Sequence, residues 1–173
     1  MRSKLFIVRP VDAENAEKLD EDFLSSSFWA KEMYADKSPI ELSLDDYCEE
    51  DFAHAFYGCS PDAKKVNDGF AVTLPKDKIR DYFAGLSDAV AAANAEFRRQ
   101  LEKGNPDSLG FYRLSHAACT PFDLYVYDTD FESYQGLNSW LYDQLVMTKG
   151  DGCDSVQFKI TQIFDWDAID IDL

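Results

Sequence analysis

The run GFAVTLPKDKIRDYFAGLSDAVAAANAEFRRQLEK, residues 69–103, decides the fold. Gly69-Phe70-Ala71-Val72-Thr73-Leu74 is a short apolar run stopped by Pro75, which removes a backbone donor, so a buried strand ends there. Pro75 also suits the first position of a helix, where a missing N–H is of no consequence. From Ile79 through Tyr82, Phe83, Leu86, Val90, Ala93, Phe97 and Leu101 the apolar side chains step by three and four. That spacing lines one face of a helix over 75–103, which Gly104-Asn105-Pro106 closes.

Toward the C-terminus the pattern predicts strands over 109–116 and 122–128, joined at Cys119-Thr120-Pro121. Thr129 and Glu132 have the spacing of a capping box for a helix carrying Phe131, Tyr134, Leu137, Leu141 and Leu145. Gly150-Asp151-Gly152 ends that helix, and Val156, Phe158 and Ile160 alternate in a last strand over 155–165. The order from Gly69 is β-α-β-β-α-β. It predicts an α+β, ferredoxin-like core over residues 69–165, with helices on one face of a four-stranded antiparallel sheet.

Toward the N-terminus, Lys4 to Val11 reads as a strand. Asp12 is placed to cap a helix over 12–25, and residues 25–36 are expected to form a second, short one. A further helix is expected to begin at a Ser43 cap, with Asp45 and Asp46 in its first turn and Gly58 at its stop. Its inner face would carry Leu44, Tyr47, Cys48, Phe52, Ala55 and Phe56, leaving Glu49, Glu50 and Asp51 outward. A polar loop containing Pro61, Lys64, Lys65 and Asn67 would lead into the core. The expectation is one domain over 1–173: an acidic strand-plus-helix segment (1–62), the core, and an acidic tail (166–173).

Charge is the most distinctive property. The chain has 17 basic and 33 acidic residues, a formal net charge of −16. A small domain needs a magnitude of only about 2–8 for solubility, and self-repulsion beyond that destabilises the folded state. Residues 1–62 carry 15 acids and 6 bases, residues 63–104 carry 6 and 8, and residues 105–173 carry 12 and 3. The acidity therefore lies in two blocks on either side of a near-neutral one. Phosphate contacts need Lys and Arg, so direct binding of nucleic acid is not expected.

Motifs of catalysis are weak throughout. His116 and Cys119 have a short spacing, but zinc wants four ligands in paired spacings, and with two histidines few Cys-His nucleophile pairs exist. Asp128-Thr129-Asp130 starts like a calcium loop, yet Ser133 and Ser139 stand where glycine and glutamate belong. No metal, cofactor or catalytic residue is expected. The four cysteines (48, 59, 119, 153) are too sparse for a disulfide framework, and the apolar run after Lys4 is too short for a secretory segment. Reduced thiols, a cytoplasmic location and no membrane association are the expectation.

The functional expectation is an acidic, non-catalytic inhibitor of a basic, nucleic-acid-binding partner such as a nuclease, with carboxylates in place of phosphates. Small phage and mobile-element proteins that block restriction or CRISPR nucleases, some of them DNA mimics, and immunity proteins against nuclease toxins are similar in size and charge. That likeness is one of composition. The candidate partner-binding residues are Asp45, Asp46, Glu49, Glu50 and Asp51, then Asp165, Asp167, Asp170 and Asp172 in the C-terminal run. Trp29 and Trp140 are candidate aromatic anchors beside acids. The alternative is a small enzyme or ligand-binding domain whose acidity serves solubility alone.

Overall fold

Gly69–Pro75 is a strand and Lys76–Glu102 a helix, as the deciding stretch predicts. The computed structural model describes residues 2–13, 17–20, 23–24, 40–56, 58–104, 107–118, 124–147 and 153–167. Among these the order is β1 Arg2–Arg9, β2 Ile40–Leu42, a 3-10 turn Leu44–Asp46, α1 Glu49–Ala55, β3 Asp62–Val66, β4 Gly69–Pro75 and α2 Lys76–Glu102. Then follow α3 Gly110–His116, β5 Leu124–Asp128, β6 Ser133–Gly136, α4 Leu137–Met147 and β7 Ser155–Asp167.

The architecture is mixed α+β around a seven-stranded sheet of order β3-β4-β7-β1-β5-β6, with β2 also paired to β7. Every pairing is antiparallel except that of β1 with β5. From Gly69 the elements run β4-α2-α3-β5-β6-α4-β7: the strand expected over 109–116 is the helix α3, the second strand after α2 is β6 instead, and the strands are not contiguous, because β1 stands between β7 and β5. The N-terminal strand is thus the centre of the sheet and not an addition to its edge. Leu5, Phe6, Ile7 and Val8 are all buried, as a strand covered on both faces requires.

Five sequence expectations change. Residues 109–116 are helical: Asp107 accepts the Leu109 N–H at 3.0 Å and pairs with Arg113, anchoring a turn that packs Phe111 on Phe97 of α2, ring centroids 6.1 Å apart. The helix expected from Thr129 starts only at Leu137. Before it, Glu132 turns with φ 47° and Ser133–Gly136 pairs with β5, forming a hairpin. The helix capped at Ser43 is two pieces, since Ser43 caps only the 3-10 turn and α1 opens separately after Cys48, which is exposed. Of the helix expected over 12–25, residues 17–20 are not helical, residues 23–24 are, and Asp20, not Asp12, accepts the Phe23 N–H at 2.7 Å. The short helix over 25–36 lies outside the described residues. The polar loop before Gly69 contains β3, whose single buried side chain, Ala63, gives almost no alternation to read.

The sheet buries both faces. On one, Phe6, Val8, Phe70, Val72, Leu74, Leu124, Val126, Phe158, Ile160 and Ile163 meet Phe52 and Phe56, Ile79 of α2, and Leu137, Trp140 and Leu141 of α4. On the other, Leu5, Ile7, Tyr127 and Phe164 are covered by Leu19 and Leu24. The Gln162 side chain, 0% exposed, holds that cover in place by donating to Leu19 O and accepting from Leu19 N, each at 2.9 Å. Its amide serves as one more strand residue, so a buried polar group is fully paired.

The register between β1 and β7 shifts after Ile7, so that Ile7 faces Gln162 while Val8 faces Ile160, leaving Thr161 as an extra residue. On its other side β7 pairs with β4 up to Ile160 and with β2 from Ile163 onward. A gap in the sheet therefore opens beside Thr161 and Gln162.

Candidate functional site

Five carboxylates fall within seven residues at the β2–α1 junction: Asp45 and Asp46 on the 3-10 turn, then Glu49, Glu50 and Asp51 in the first turn of α1. All five are exposed. Their mount is rigid. Phe52, 0% exposed, packs on Phe70 at 4.6 Å and on Phe6 at 5.9 Å, while Phe56, also 0% exposed, packs on Phe158 at 5.6 Å. The first turn is the place where a helix tolerates negative charge best, because its free N–H groups carry partial positive charge.

Asp51 closes this turn by accepting the Cys48 N–H at 2.7 Å. That backbone hydrogen bond holds its carboxyl below the ordinary value of 3.8, helped by the nearby charges of Lys4 and His54. A group with a depressed folded value stabilises above its unfolded pKa and loses that contribution as pH falls through the folded one. Asp51→Ala is therefore expected to be less stable than wild type at neutral pH. The difference should shrink steadily below about pH 4, as urea midpoints measured across an acid series would show.

Lys4 of β1 donates from Nζ to the Tyr47 hydroxyl at 3.0 Å and lies over its ring, 4.8 Å from the centroid. On the sheet, Lys4 faces Asp165 of β7, which on its other side faces Ile40 of β2. Asp165 is half-buried, and Asp167 stands in register with Arg2. Asp165 thus lies beside the start of β2, whereas the β2–α1 junction leaves from the other end of that strand, past the pairing of Leu42 with Ile163. Asp45 pairs with Lys65 at 2.9 Å, which lowers its pKa, whereas among the described residues no cation pairs with Asp46, Glu49 or Glu50.

Trp140 does not join them. It is 2% exposed, stacks edge-on against Phe158 at 4.9 Å, and donates its indole N–H to Asp128 at 2.9 Å. The helical spacing that places it with Leu137 and Leu141 also turns it inward. Trp29, Asp170 and Asp172 lie outside the described residues, as does Cys119. His116 is exposed and stacked on Tyr112 at 3.9 Å. Burial pushes the Cys59 thiol up to about 11, which leaves it protonated and unreactive at neutral pH. Among the described residues no three His, Cys, Asp or Glu side chains gather as a metal-ligand set.

A cavity of about 260 Å³ occupies the sheet gap beside Thr161, next to the acidic junction. Its walls include Arg9, Lys18 and Lys65, together with Asp45 and the Asn67-Asp68-Gly69 turn. Sequence reading missed it because these residues come from segments far apart in the chain. The available signal was the Lys64-Lys65 pair beside Asn67-Asp68-Gly69, a combination that reads as a hairpin bearing cations.

Comparison with protein-family models, curated proteins and solved structures finds no match. The site is read from its own geometry.

Proposed function

We propose that this chain is an acidic, non-catalytic binding protein that neutralises a basic partner, a nuclease or other nucleic-acid-binding protein, in the cytoplasm. It would act in the manner of anti-restriction, anti-CRISPR or nuclease-immunity proteins. The observation that carries this reading is the cluster of exposed carboxylates at residues 45–51, attached to the core through Phe52 and Phe56. A rigid anionic surface loses little conformational entropy on docking, and it steers a cationic groove toward it from a distance. A groove built for phosphates is lined by Arg and Lys, which form the same charge-assisted hydrogen bonds with carboxylates. Among the described residues no helix is long and apolar enough to cross a membrane.

The test is capture of basic partners from native host and phage extracts at about 50 mM salt, followed by competition of the captured protein against DNA or RNA. Wild type is expected to displace nucleic acid, with affinity falling steeply toward about 200 mM salt. The triple variant Asp46→Lys, Glu49→Lys, Glu50→Lys is expected to lose at least about 100-fold in affinity, close charge pairs at interfaces each contributing roughly 1.5 kcal/mol or more. Failure to retain any basic partner at low salt, or unchanged affinity in the triple variant, ends the proposal. The alternative of a ligand-binding domain is favoured by one observation, the cation-lined cavity at the β7 bulge.

A further inference from the structure

A chain with net charge −16 places three cations around one small cavity, brought there from three separate segments: Arg9 at the end of β1, Lys18 in the cover segment, and Lys65 on β3. We infer that this notch is a binding site for a small phosphate-bearing anion, either the free ion or a phosphomonoester. Asp45 belongs both to the carboxylate cluster and to this lining, but the inference rests on the cations and the cavity and does not require the cluster to dock a partner.

The cavity lies where β7 passes from its pairing with β4 to its pairing with β2, and Thr161 contributes a hydroxyl to its lining. Arg9 donates from Nε to the Thr161 hydroxyl at 3.1 Å and from Nη2 to the Glu17 carbonyl, two bonds that aim the guanidinium along the wall. Both acceptors are neutral, and among the described residues no carboxylate pairs with Arg9. A planar guanidinium held in one orientation is the side chain best suited to phosphate oxygens.

The other two cations are easily recruited. Lys18 pairs with Glu41 at 2.9 Å and Lys65 with Asp45 at 2.9 Å, yet Lys18 is 71% exposed and Asp45 87% exposed. Exposed pairs of this kind contribute little, so an anion in the notch can take over either lysine at small cost. Asp68, which with Asp45 supplies the acids of the lining, is held on both oxygens by Lys159 at 2.8 and 3.1 Å, and that lysine is 9% exposed. With Asp68 matched by Lys159, Glu41 by Lys18 and Asp45 by Lys65, Arg9 is the lining cation that no carboxylate among the described residues pairs with. Carboxylates farther than about 8 Å are screened at physiological salt, so the local balance, not the net charge, sets the affinity. At about 260 Å³ the notch is slightly smaller than pockets for drug-sized ligands, consistent with a phosphate group and little more.

The experiment is calorimetric titration of the full chain with inorganic phosphate against sodium chloride at matched ionic strength, repeated with phenyl phosphate. Saturable phosphate binding is expected, weakened at least tenfold in Lys18→Gln/Lys65→Gln. These exposed positions leave the core intact, so the double variant should retain the wild-type melting temperature in the absence of phosphate. Arg9→Lys should also weaken binding while keeping the positive charge, because the guanidinium fork is lost. Tighter binding of phenyl phosphate would identify a phosphomonoester as the ligand, and equal binding would identify the free ion. Superimposable responses to phosphate and chloride, or unchanged affinity in the folded double variant, would overturn the inference.

Discussion

Gly69→Ala is expected to destabilise the chain more than any other single methyl group added to a described glycine. A Cβ at Gly69 would stand 2.0 Å from the Ile160 carbonyl oxygen and 3.0 Å from its carbon, both part of the β7 backbone. No side chain can rotate out of the way, so β4 must separate from β7 where the two strands begin to pair. The φ of 153° adds a conformation that only glycine adopts readily. A loss of about 4 kcal/mol or more follows, at the exceptional end of single substitutions. For a chain of this size that lowers the melting temperature by roughly 8–16 °C. Gly85→Ala is the control, since nothing lies within 4 Å of a Cβ there and the position is inside α2. It should stabilise by roughly 0.4–1 kcal/mol through the unfolded chain and helix propensity. Equal effects of the two substitutions in thermal melts would show that the approach of β4 to β7 is not as described.

Phe52→Ala should be nearly as damaging, and it links stability to the proposed function. The ring is 0% exposed, with Phe70 at 4.6 Å, Phe6 at 5.9 Å and Tyr47 at 6.3 Å. Removing it leaves a cavity among aromatics that cannot collapse freely, at a cost of about 3–5 kcal/mol. Phe52 is also the buried residue that seats α1 on the sheet. The carboxylates at 49–51 should therefore lose their fixed placement, and partner affinity should fall even at temperatures where the variant stays folded. Phe52→Leu, which retains much of the volume, is expected to lose less of both. Denaturant midpoints read alongside binding would separate the effects, and affinity unchanged in a folded Phe52→Ala would show that the rigidity of α1 is irrelevant to docking.

Local periodicity was legible wherever the side chains of an element face one uninterrupted surface. β4, α2 and β7 belong to this group, since Phe70, Val72 and Leu74, or Val156, Phe158 and Ile160, alternate onto a single core. Residues 109–116 and 129–136 were misread for the opposite reason. Apolar residues at 109, 111, 112 and 114 fit neither period cleanly, and the hydrogen bond from the Leu109 N–H to Asp107, with Phe111 packed on Phe97, settled the helix. Thr129 and Glu132 had the spacing of a helix cap, but pairing of Tyr134 with Tyr127 drew the following residues into the sheet.

The candidate site divides in the same way. The carboxylates at 45–51 and their outward direction could be read from composition and helix spacing, because charge without a partner stays in water. That Trp140 would be inward needed the α4–sheet packing. That β1 would be central, and that its pairing with β7 would set Lys4 against Asp165 opposite the start of β2, needed long-range pairing. By itself the sequence determined the α+β class, the long helix, the final strand and two acidic blocks, all of which follow from local patterns of hydrophobicity and charge. Only the tertiary structure decided the strand order, the bulge at Thr161 and the gathering of Arg9, Lys18 and Lys65 around one cavity. These arise from hydrogen-bond register between strands more than 100 residues apart, which no local period records.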